Sequence, residues 1–237
     1  MHRIRAITID LDDTLWPIGP VIQRAEARLW EWLTRNYPRI PAKFSPERVL
    51  EVREAVIEDN LEMRHDFRFL RKKVLAAIAN EAGYTPELVE PAFAVFDQAR
   101  NEVEFFPDVM PALESLAGDF VLVAVTNGNA NLESIGIRHL FHDVVAAAEA
   151  GSAKPARSIF DKAVARTGCL PAEILHVGDH PLIDVKGAQD AGLRTAWINR
   201  YDDEWPDDLP DPDAIISTIP QLYELLQPAL RCIRQTP

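Results

Sequence analysis

Residues 4–15 read IRAITIDLDDTL. The apolar run at 4–9 gives way to the acids Asp10, Asp12 and Asp13. A short apolar run is typical of a strand that is buried on both faces, and the acids place a polar site where that strand ends. The stretch therefore predicts a buried first strand whose carboxyl end carries chemistry.

The same pattern recurs along the rest of the chain. Further strands are predicted at 120–125, 144–148, 174–177, 195–198 and 214–217. Helices are predicted at 109–117, 132–140, 156–167 and 184–191, and after the last strand. Alternating strands and helices predict an α/β fold with a Rossmann-like, mostly parallel sheet.

The segment from residue 17 to residue 104 breaks this alternation. Its long amphipathic stretches lie at 21–36, 46–80 and 86–103. We predict a catalytic core of residues 1–16 plus 105–237 and a helical cap of residues 17–104. An insertion after the first strand lies beside the carboxyl edge of the sheet, where open α/β sheets bind ligands, so the cap is expected to act as a lid.

Composition narrows the range of partners. The 237-residue chain has a formal net charge of −12, and 47% of its residues are hydrophobic. The negative field disfavours nucleic acid and anionic membranes, so a small-molecule partner is expected. Cys169 and Cys232 predict no disulfide framework, and the acids at residues 10–13 exclude a signal or membrane segment there. A cytoplasmic location is expected by default, and no feature fixes an oligomeric state.

The first chemical signal is the pair Asp10 and Asp12. Carboxylates at i and i+2 on extended chain face the same side, about 6–7 Å apart, which leaves room for a reacting phosphorus. One carboxylate can attack while the other moves protons. The ordinary alternatives are an acidic turn or a helix N-cap.

Three further signals follow other predicted strands. Thr126-Asn127-Gly128 offers a hydroxyl and backbone amides for phosphate oxygens, although an Asn-Gly turn alone explains it. Lys154 can offset phosphate charge, although most lysines are solvated. Asp179 and Asp184 complete an oxygen-rich site for a hard divalent cation, and Mg²⁺ is the expected ion; the alternative for Asp184 alone is a helix cap.

Together these motifs, Asp-x-Asp-x-Thr, Thr, Lys and Gly-Asp-x₄-Asp, resemble those of haloacid dehalogenase (HAD) superfamily phosphatases over almost the whole chain. The resemblance implies that Asp10 forms an aspartyl phosphate and that Asp12 protonates the leaving oxygen and then activates water. It implies Mg²⁺ ligation by the Asp10 and Asp179 carboxylates and the Asp12 carbonyl, with support from Asp184. The remaining implied roles are phosphoryl binding by Thr126, Asn127 and Gly128, and charge neutralisation by Lys154.

Three functions are alternatives to the phosphatase, and the acid at Asp12 bears on two of them. The superfamily's dehalogenases lack an acid there and need no metal, so a phosphatase is preferred. A phospho-receiver domain shares the acids, Thr and Lys, but is shorter and has no such insertion, and an acid at Asp12 would speed loss of its phosphoryl group. A binding domain without catalytic activity is disfavoured, because every catalytic position of the motifs carries the expected type of residue.

Substrate choice is assigned to the cap, where residues 63–71 alternate cations and aromatic rings. His65, Arg68 and Arg71 are candidate substrate contacts, and the alternative is a solvated basic face. His65-Asp66 with Arg71, together with the core motifs, resembles a bacterial subgroup that hydrolyses flavin mononucleotide and the ribitylamino-uracil phosphate of riboflavin synthesis. A sugar phosphate or nucleoside monophosphate phosphatase is the alternative. His180 is either a substrate contact or, preferably, a local cap.

Overall fold

A computed structural model describes residues 4–233, with side chains through residue 227, so Cys232 lies outside the described side chains. Six strands form one sheet in the order β3-β2-β1-β4-β5-β6, and every neighbouring pair is parallel. The strands are β1 Ala6–Ile9, β2 Val121–Thr126, β3 Asp143–Ala146, β4 Ile174–Gly178, β5 Arg194–Ile198 and β6 Ala214–Ile216. The predicted parallel α/β fold is confirmed.

The register aligns the carboxyl ends of the three central strands. Ile9 of β1 pairs with Ala124 of β2 on one side and with Val177 of β4 on the other. One residue earlier, Thr8 pairs with His176. The residues that follow β1, β2 and β4 therefore emerge side by side at one edge of the sheet.

The described residues divide into two compact units. The sheet unit comprises residues 4–17, 104–128 and 136–233. Its helices are α6 Val109–Asp119, α8 Ala147–Ala150, α9 Arg157–Thr167, α10 Gly187–Asp190 and α11 Ile219–Ile233. Val125, Phe160 and Ile174 are fully buried members of its core cluster. Each such side chain contributes about 1.5–3 kcal/mol on burial.

The helical unit comprises residues 18–103 together with 129–135. Its helices are α1 Ile18–Asn36, α2 Arg39–Lys43, α3 Pro46–Glu58, α4 Phe67–Glu81, α5 Val89–Arg100 and α7 Leu132–Ile135. Leu33, Ile78 and Phe96 lie in its own buried core. The segment 129–135 joins this unit by hydrogen bonds: Arg100 Nε donates to Asn129 Oδ1 at 3.2 Å, and Asn131 N donates to Asn101 Oδ1 at 2.8 Å.

Several predicted boundaries differ from the structure, and four of the differences have a local reason. The helical stretch 46–80 is two helices, because the Asp66 side chain accepts a hydrogen bond from Phe69 N and so caps a new helix. The helix 132–140 stops at Ile135, since Gly136 has a φ of +92°. The strand 144–148 ends at Ala146, where alanines begin to favour helix. The helix at 184–191 begins earlier, as a wide π-helical turn over Pro181–Lys186.

Within residues 4–233, no helix has both the length and the apolar character needed to cross a membrane.

Candidate active site

Loops leave the carboxyl ends of neighbouring strands in the sheet unit. Asp10 follows β1, Thr126 ends β2, and Asp179 follows β4. The loop that follows β3 and α8 carries Lys154. The structure brings the ionisable side chains of three of these loops, together with Asp184, into one cluster.

Lys154 contacts two acids of this cluster. Its Nζ donates a hydrogen bond to Asp10 Oδ1 and another to Asp184 Oδ1, the latter at 2.6 Å. Lys154 is only 4% exposed. Burial by itself lowers the pKa of Lys154, but the charges of Asp10 and Asp184 outweigh it and raise that pKa above the ordinary value. The alternative of a solvated surface lysine is therefore wrong for this residue.

The acids outnumber this lysine. One carboxylate oxygen from each of Asp10, Asp179 and Asp184 lies within 4.8 Å of the other two. Burial raises the pKa of Asp10 well above its usual value, with Lys154 opposing the shift and Asp184 and Asp179 adding to it. Burial is also the main cause that raises the pKa of Asp179 to about 7. Burial and the neighbouring acids thus oppose the ionisation of Asp10 and Asp179, and one ammonium group only partly offsets this effect.

Asp184 is fixed inside the turn that follows β4. His180 N donates to its Oδ2 at 3.1 Å. The capping role belongs instead to His180, whose Nδ1 accepts from Leu182 N and Ile183 N, both at 3.2 Å. The preferred interpretation of His180 as a local cap agrees with this geometry, and Asp184 is not the N-cap of the turn.

Asp12 lies in a tight turn after β1. Its Oδ1 accepts a hydrogen bond from Trp16 Nε1 at 2.8 Å. The next residue, Asp13, has a φ of +59°, and its N–H donates to the Trp16 carbonyl at 2.8 Å. The positive φ at Asp13 and the bridge between Asp12 and Trp16 shape the turn, so the position of the Asp12 carboxylate is set by its own loop.

The loop after β2 forms hydrogen bonds to itself and to the lysine loop. Thr126 Oγ1 accepts from Gly128 N at 2.9 Å. The Asn127 side chain accepts from Lys154 N at 2.7 Å and donates to the Lys154 carbonyl at 3.0 Å. Asn127 therefore fixes the backbone that carries the lysine, a contact that its sequence pattern did not indicate.

A family model described as a haloacid dehalogenase-like hydrolase matches residues 4–192. The chain belongs to this family. All the core motif residues, from Asp10 to Asp184, fall within the matched part of this HAD hydrolase. The superfamily predicted from the motifs is confirmed.

Relatives of this HAD hydrolase include named phosphatases. It is 33% identical to the 5-amino-6-(5-phospho-D-ribitylamino)uracil phosphatase YigB of Escherichia coli, with 84% of each chain covered. It is also 33% identical to a glyceraldehyde 3-phosphate phosphatase of Methanopyrus kandleri, with 88% of this chain and 91% of the relative covered. These relatives support the predicted enzyme class.

The fold also matches solved structures. A structure described as a 2-haloacid dehalogenase from Pseudomonas syringae pv. Tomato has a TM-score of 0.90 and 37% identity, covering 94% of this chain and 98% of that one.

Gly178 is a site residue of the HAD hydrolase whose role the sequence did not reveal. A Cβ atom at this position would lie 2.3 Å from Asp184 Cγ and 2.5 Å from Asp184 Cβ. Only glycine allows the carboxylate to approach the end of β4 so closely. The signal was present as the Gly of Gly178-Asp179, but the contact joins residues six positions apart through the turn between them.

Gly178→Ala is expected to destabilise the protein by about 1–3 kcal/mol, because the added methyl must displace Asp184 or the strand end. It should also lower activity, since Asp184 contacts Lys154. Denaturant unfolding and turnover measure the two effects. Gly118→Ala is the matched control, as a Cβ there meets nothing within 4 Å. Equal stability and activity of Gly178→Ala and wild type would contradict the steric argument.

His176 is a second residue whose role was missed. It lies on β4 with 1% exposure, and its ring packs edge-on against Phe160 with centroids 5.1 Å apart. Burial lowers the pKa of His176, although its contact with Asp184 opposes the shift. The signal for it is a polar residue within the apolar run of residues 174–177, a pattern that by itself predicts only a strand.

The candidate substrate residues of the helical unit have partners of their own. Arg71 donates to Glu26 Oε1 at 2.7 Å, and its guanidinium carbon lies 3.5 Å from the centre of the Phe96 ring. Arg68 Nη2 lies 3.1 Å from an Asp97 carboxylate oxygen. The alternative of a merely solvated basic face does not describe Arg71, whose side chain is 20% exposed. His65 is half-buried beside the Asp66 cap.

Proposed function

We propose that this HAD hydrolase is a Mg²⁺-dependent phosphomonoester hydrolase that acts on a small phosphorylated metabolite through an aspartyl phosphate on Asp10. The observation that carries the proposal is the meeting of Asp10 with Lys154, Asp179 and Asp184 at one edge of the sheet. A nucleophilic carboxylate beside a buried cation and further acids suits phosphoryl transfer, which depends on positioning and electrostatic stabilisation.

The donor set fits a hard divalent cation. Mg²⁺ prefers oxygen ligands, and the cluster supplies three carboxylates. In this proposal Asp10 and Asp179 would hold the ion by carboxylate and Asp12 by its carbonyl, while Asp184 would support the site. When bound, the cation offsets the negative charge of the phosphoryl oxygens.

The chain's own groups carry the two half-reactions. A carboxylate oxygen of Asp10 attacks phosphorus, and the bond from phosphorus to the ester oxygen breaks with its electron pair on that oxygen. Asp12 donates the proton that makes the leaving group an alcohol. Asp12 then takes a proton from water as that water attacks the same phosphorus, which releases phosphate and restores Asp10.

Thr126 and Lys154 are proposed to hold the phosphoryl group. A hydroxyl that accepts from Gly128 N still has its own O–H to donate to a phosphoryl oxygen. Lys154 is held at its backbone by Asn127, so its ammonium group is preorganised to offset charge. Asn127 and Gly128 backbone amides are proposed to complete the phosphate site.

For the substrate, we propose flavin mononucleotide or the ribitylamino-uracil phosphate of riboflavin synthesis. The likeness to YigB, which is named for the ribitylamino-uracil phosphate, supports the second of these esters. The glyceraldehyde 3-phosphate phosphatase relative supports the alternative of a sugar phosphate. The core groups recognise only phosphate and metal, so residues 17–104 are proposed as a cap that selects between these esters.

A second candidate function is favoured by the likeness to a solved structure described as a 2-haloacid dehalogenase. An aspartate that attacks phosphorus can equally attack carbon, so Asp10 alone does not separate the two reactions. The acid at Asp12 favours the phosphatase, because loss of an ester oxygen needs a proton and loss of a halide ion does not.

The test is a substrate panel with Mg²⁺ and, separately, with chelator. It contains flavin mononucleotide, the ribitylamino-uracil phosphate, glyceraldehyde 3-phosphate, nucleotides and 2-chloropropionate. Mg²⁺-dependent phosphate release led by the first two esters supports the whole proposal. Release led by other esters keeps the mechanism and rejects the substrate. Chloride release without phosphate release overturns the proposed function.

Arg71→Ala should raise KM for the specific ester more than for p-nitrophenyl phosphate, because the small ester has little for the cap to recognise. Glu26→Gln is the matched control, since it removes the charged partner of Arg71 but keeps the guanidinium. KM for the specific ester should change little in that variant. Equal rises of KM for both esters in Arg71→Ala would instead make Arg71 a structural residue.

A further inference from the structure

A buried polar chain leads from the middle of the sheet to the acidic cluster. Thr8 Oγ1 lies 2.9 Å from His176 Nδ1, and His176 Nε2 lies 3.2 Å from Asp184 Oδ1. The exposed fractions of Thr8, His176 and Asp184 are 0%, 1% and 1%. The two strands that carry Thr8 and His176 are paired at these residues, so the backbone holds the first two members of the chain in place.

The partners of Asp184 fix the direction of these hydrogen bonds. Asp184 Oδ1 already accepts from Lys154, and its Oδ2 accepts from His180 N. The Asp184 carboxylate therefore acts as an acceptor. In the contact between His176 Nε2 and Asp184 Oδ1, the proton must then belong to Nε2. Burial lowers the pKa of His176 and so favours the neutral ring, in which Nδ1 is the acceptor and the Thr8 hydroxyl donates to it. Asp184 thereby selects the tautomer, and Thr8 satisfies the ring nitrogen that this tautomer leaves as an acceptor.

We propose that His176, with Thr8 behind it, is a positioning residue that holds the Asp184 carboxylate, and through it Lys154, in the arrangement the hydrolase requires. The inference rests on the proposed function for its effect on turnover. Asp184 lies in a π-helical turn whose His180 amide holds its Oδ2, and His176 and Lys154 hold its Oδ1. Partners behind a metal site typically change metal affinity or activity by about 10- to 100-fold when they are removed.

Two amide variants of His176 separate the effect of losing the hydrogen-bond donor to Asp184 from the effect of losing the ring. In His176→Gln the amide nitrogen reaches about as far as Nε2, so a donor to Asp184 remains. In His176→Asn the shorter amide can meet Thr8 but not Asp184. Both variants lose the ring contact with Phe160, so comparing them corrects for packing. Thr8→Val removes the hydroxyl with little change of volume, and Thr8→Ser restores it.

The first measurement uses no substrate: the rise in melting temperature with Mg²⁺ gives the apparent affinity of each variant. His176→Asn should weaken Mg²⁺ binding by about 10- to 100-fold and lower kcat, whereas His176→Gln should stay closer to wild type. The Mg²⁺ affinity of Thr8→Val should lie between those of wild type and His176→Asn. Thr8→Ser, which keeps the hydroxyl, should bind Mg²⁺ about as well as wild type. Equal effects of the Asn and Gln variants, or no effect of either, would overturn the proposal.

The second measurement needs neither metal nor turnover. Nitrogen-15 NMR of the histidine-labelled wild-type protein should show His176 as the Nε2–H tautomer. An Nδ1–H tautomer would overturn the proposal, because two acceptors would then face each other. If wild type releases no phosphate from any ester while this tautomer is observed, the proposed function fails and the hydrogen-bond arrangement stands.

Discussion

Asp10→Asn is expected to lower kcat by roughly 10⁴-fold or more, because an amide oxygen is too weak a nucleophile to form the covalent intermediate. The change preserves almost all of the side-chain volume. In chelator the variant should melt at the wild-type temperature or above it, since it removes one of three carboxylates that crowd together in a buried cluster. Phosphate release and thermal unfolding measure the two effects.

The control for Asp10→Asn is the same change at an exposed acid. Asp161 lies on α9 with its side chain 55% exposed, and Asp161→Asn should leave turnover unchanged. Together the two variants separate loss of the nucleophile from loss of one negative charge on the protein. Normal phosphate release by Asp10→Asn would refute the mechanism, whichever substrate the enzyme proves to use.

The motif residues were predictable because parallel strands have a defined carboxyl end. Asp10, Thr126 and Asp179 each follow a short apolar run, and the carboxyl ends of strands in one parallel sheet meet at one edge. Once the runs at β1, β2 and β4 are interpreted as strands, their polar ends must converge. Lys154 was harder to assign, since a helical turn and a loop separate it from β3.

The supporting residues could not be predicted in the same way. Gly178 matters because Asp184 packs on it, and that approach depends on the π-helical turn at Pro181–Lys186, which has no simple periodicity. His176 matters through the residue beside it on the neighbouring strand, and pairing register is not written in either strand alone. Local patterns thus placed the reacting groups, and tertiary contacts decided what supports them.

The predicted helix boundaries were wrong where a local contact competes with helix propensity. The pattern at 46–80 is amphipathic throughout, yet the Asp66 carboxylate accepts from Phe69 N and starts a second helix. The pattern at 132–140 is likewise continuous, but the left-handed backbone at Gly136 ends the helix. Side-chain capping and glycine conformation each act over a few residues, which is too short a range for periodicity to detect.

Asp12→Asn should lower turnover of an alkyl phosphate by about 10²- to 10⁴-fold, the usual contribution of a general acid and base. The site geometry should survive, because the Asn amide oxygen can still accept from Trp16 Nε1 as Asp12 Oδ1 does. If Asp12 also activates the water, the second half-reaction slows, and phosphoryl-Asp10 should accumulate. Intact-mass spectrometry of acid-quenched reactions would detect the adduct.

The rate at which Asp12→Asn forms phosphoryl-Asp10 from different leaving groups shows whether Asp12 transfers a proton. A p-nitrophenolate ion leaves without a proton, so Asp12→Asn should form phosphoryl-Asp10 rapidly from p-nitrophenyl phosphate and slowly from an alkyl ester. Trp16→Phe is the comparison: it removes the donor to Asp12 but keeps the carboxylate, and its effect should be smaller. Equal slowing of the first step for both esters in Asp12→Asn would mean that Asp12 positions the loop after β1 rather than moves a proton. Unchanged turnover would assign the proton to another group.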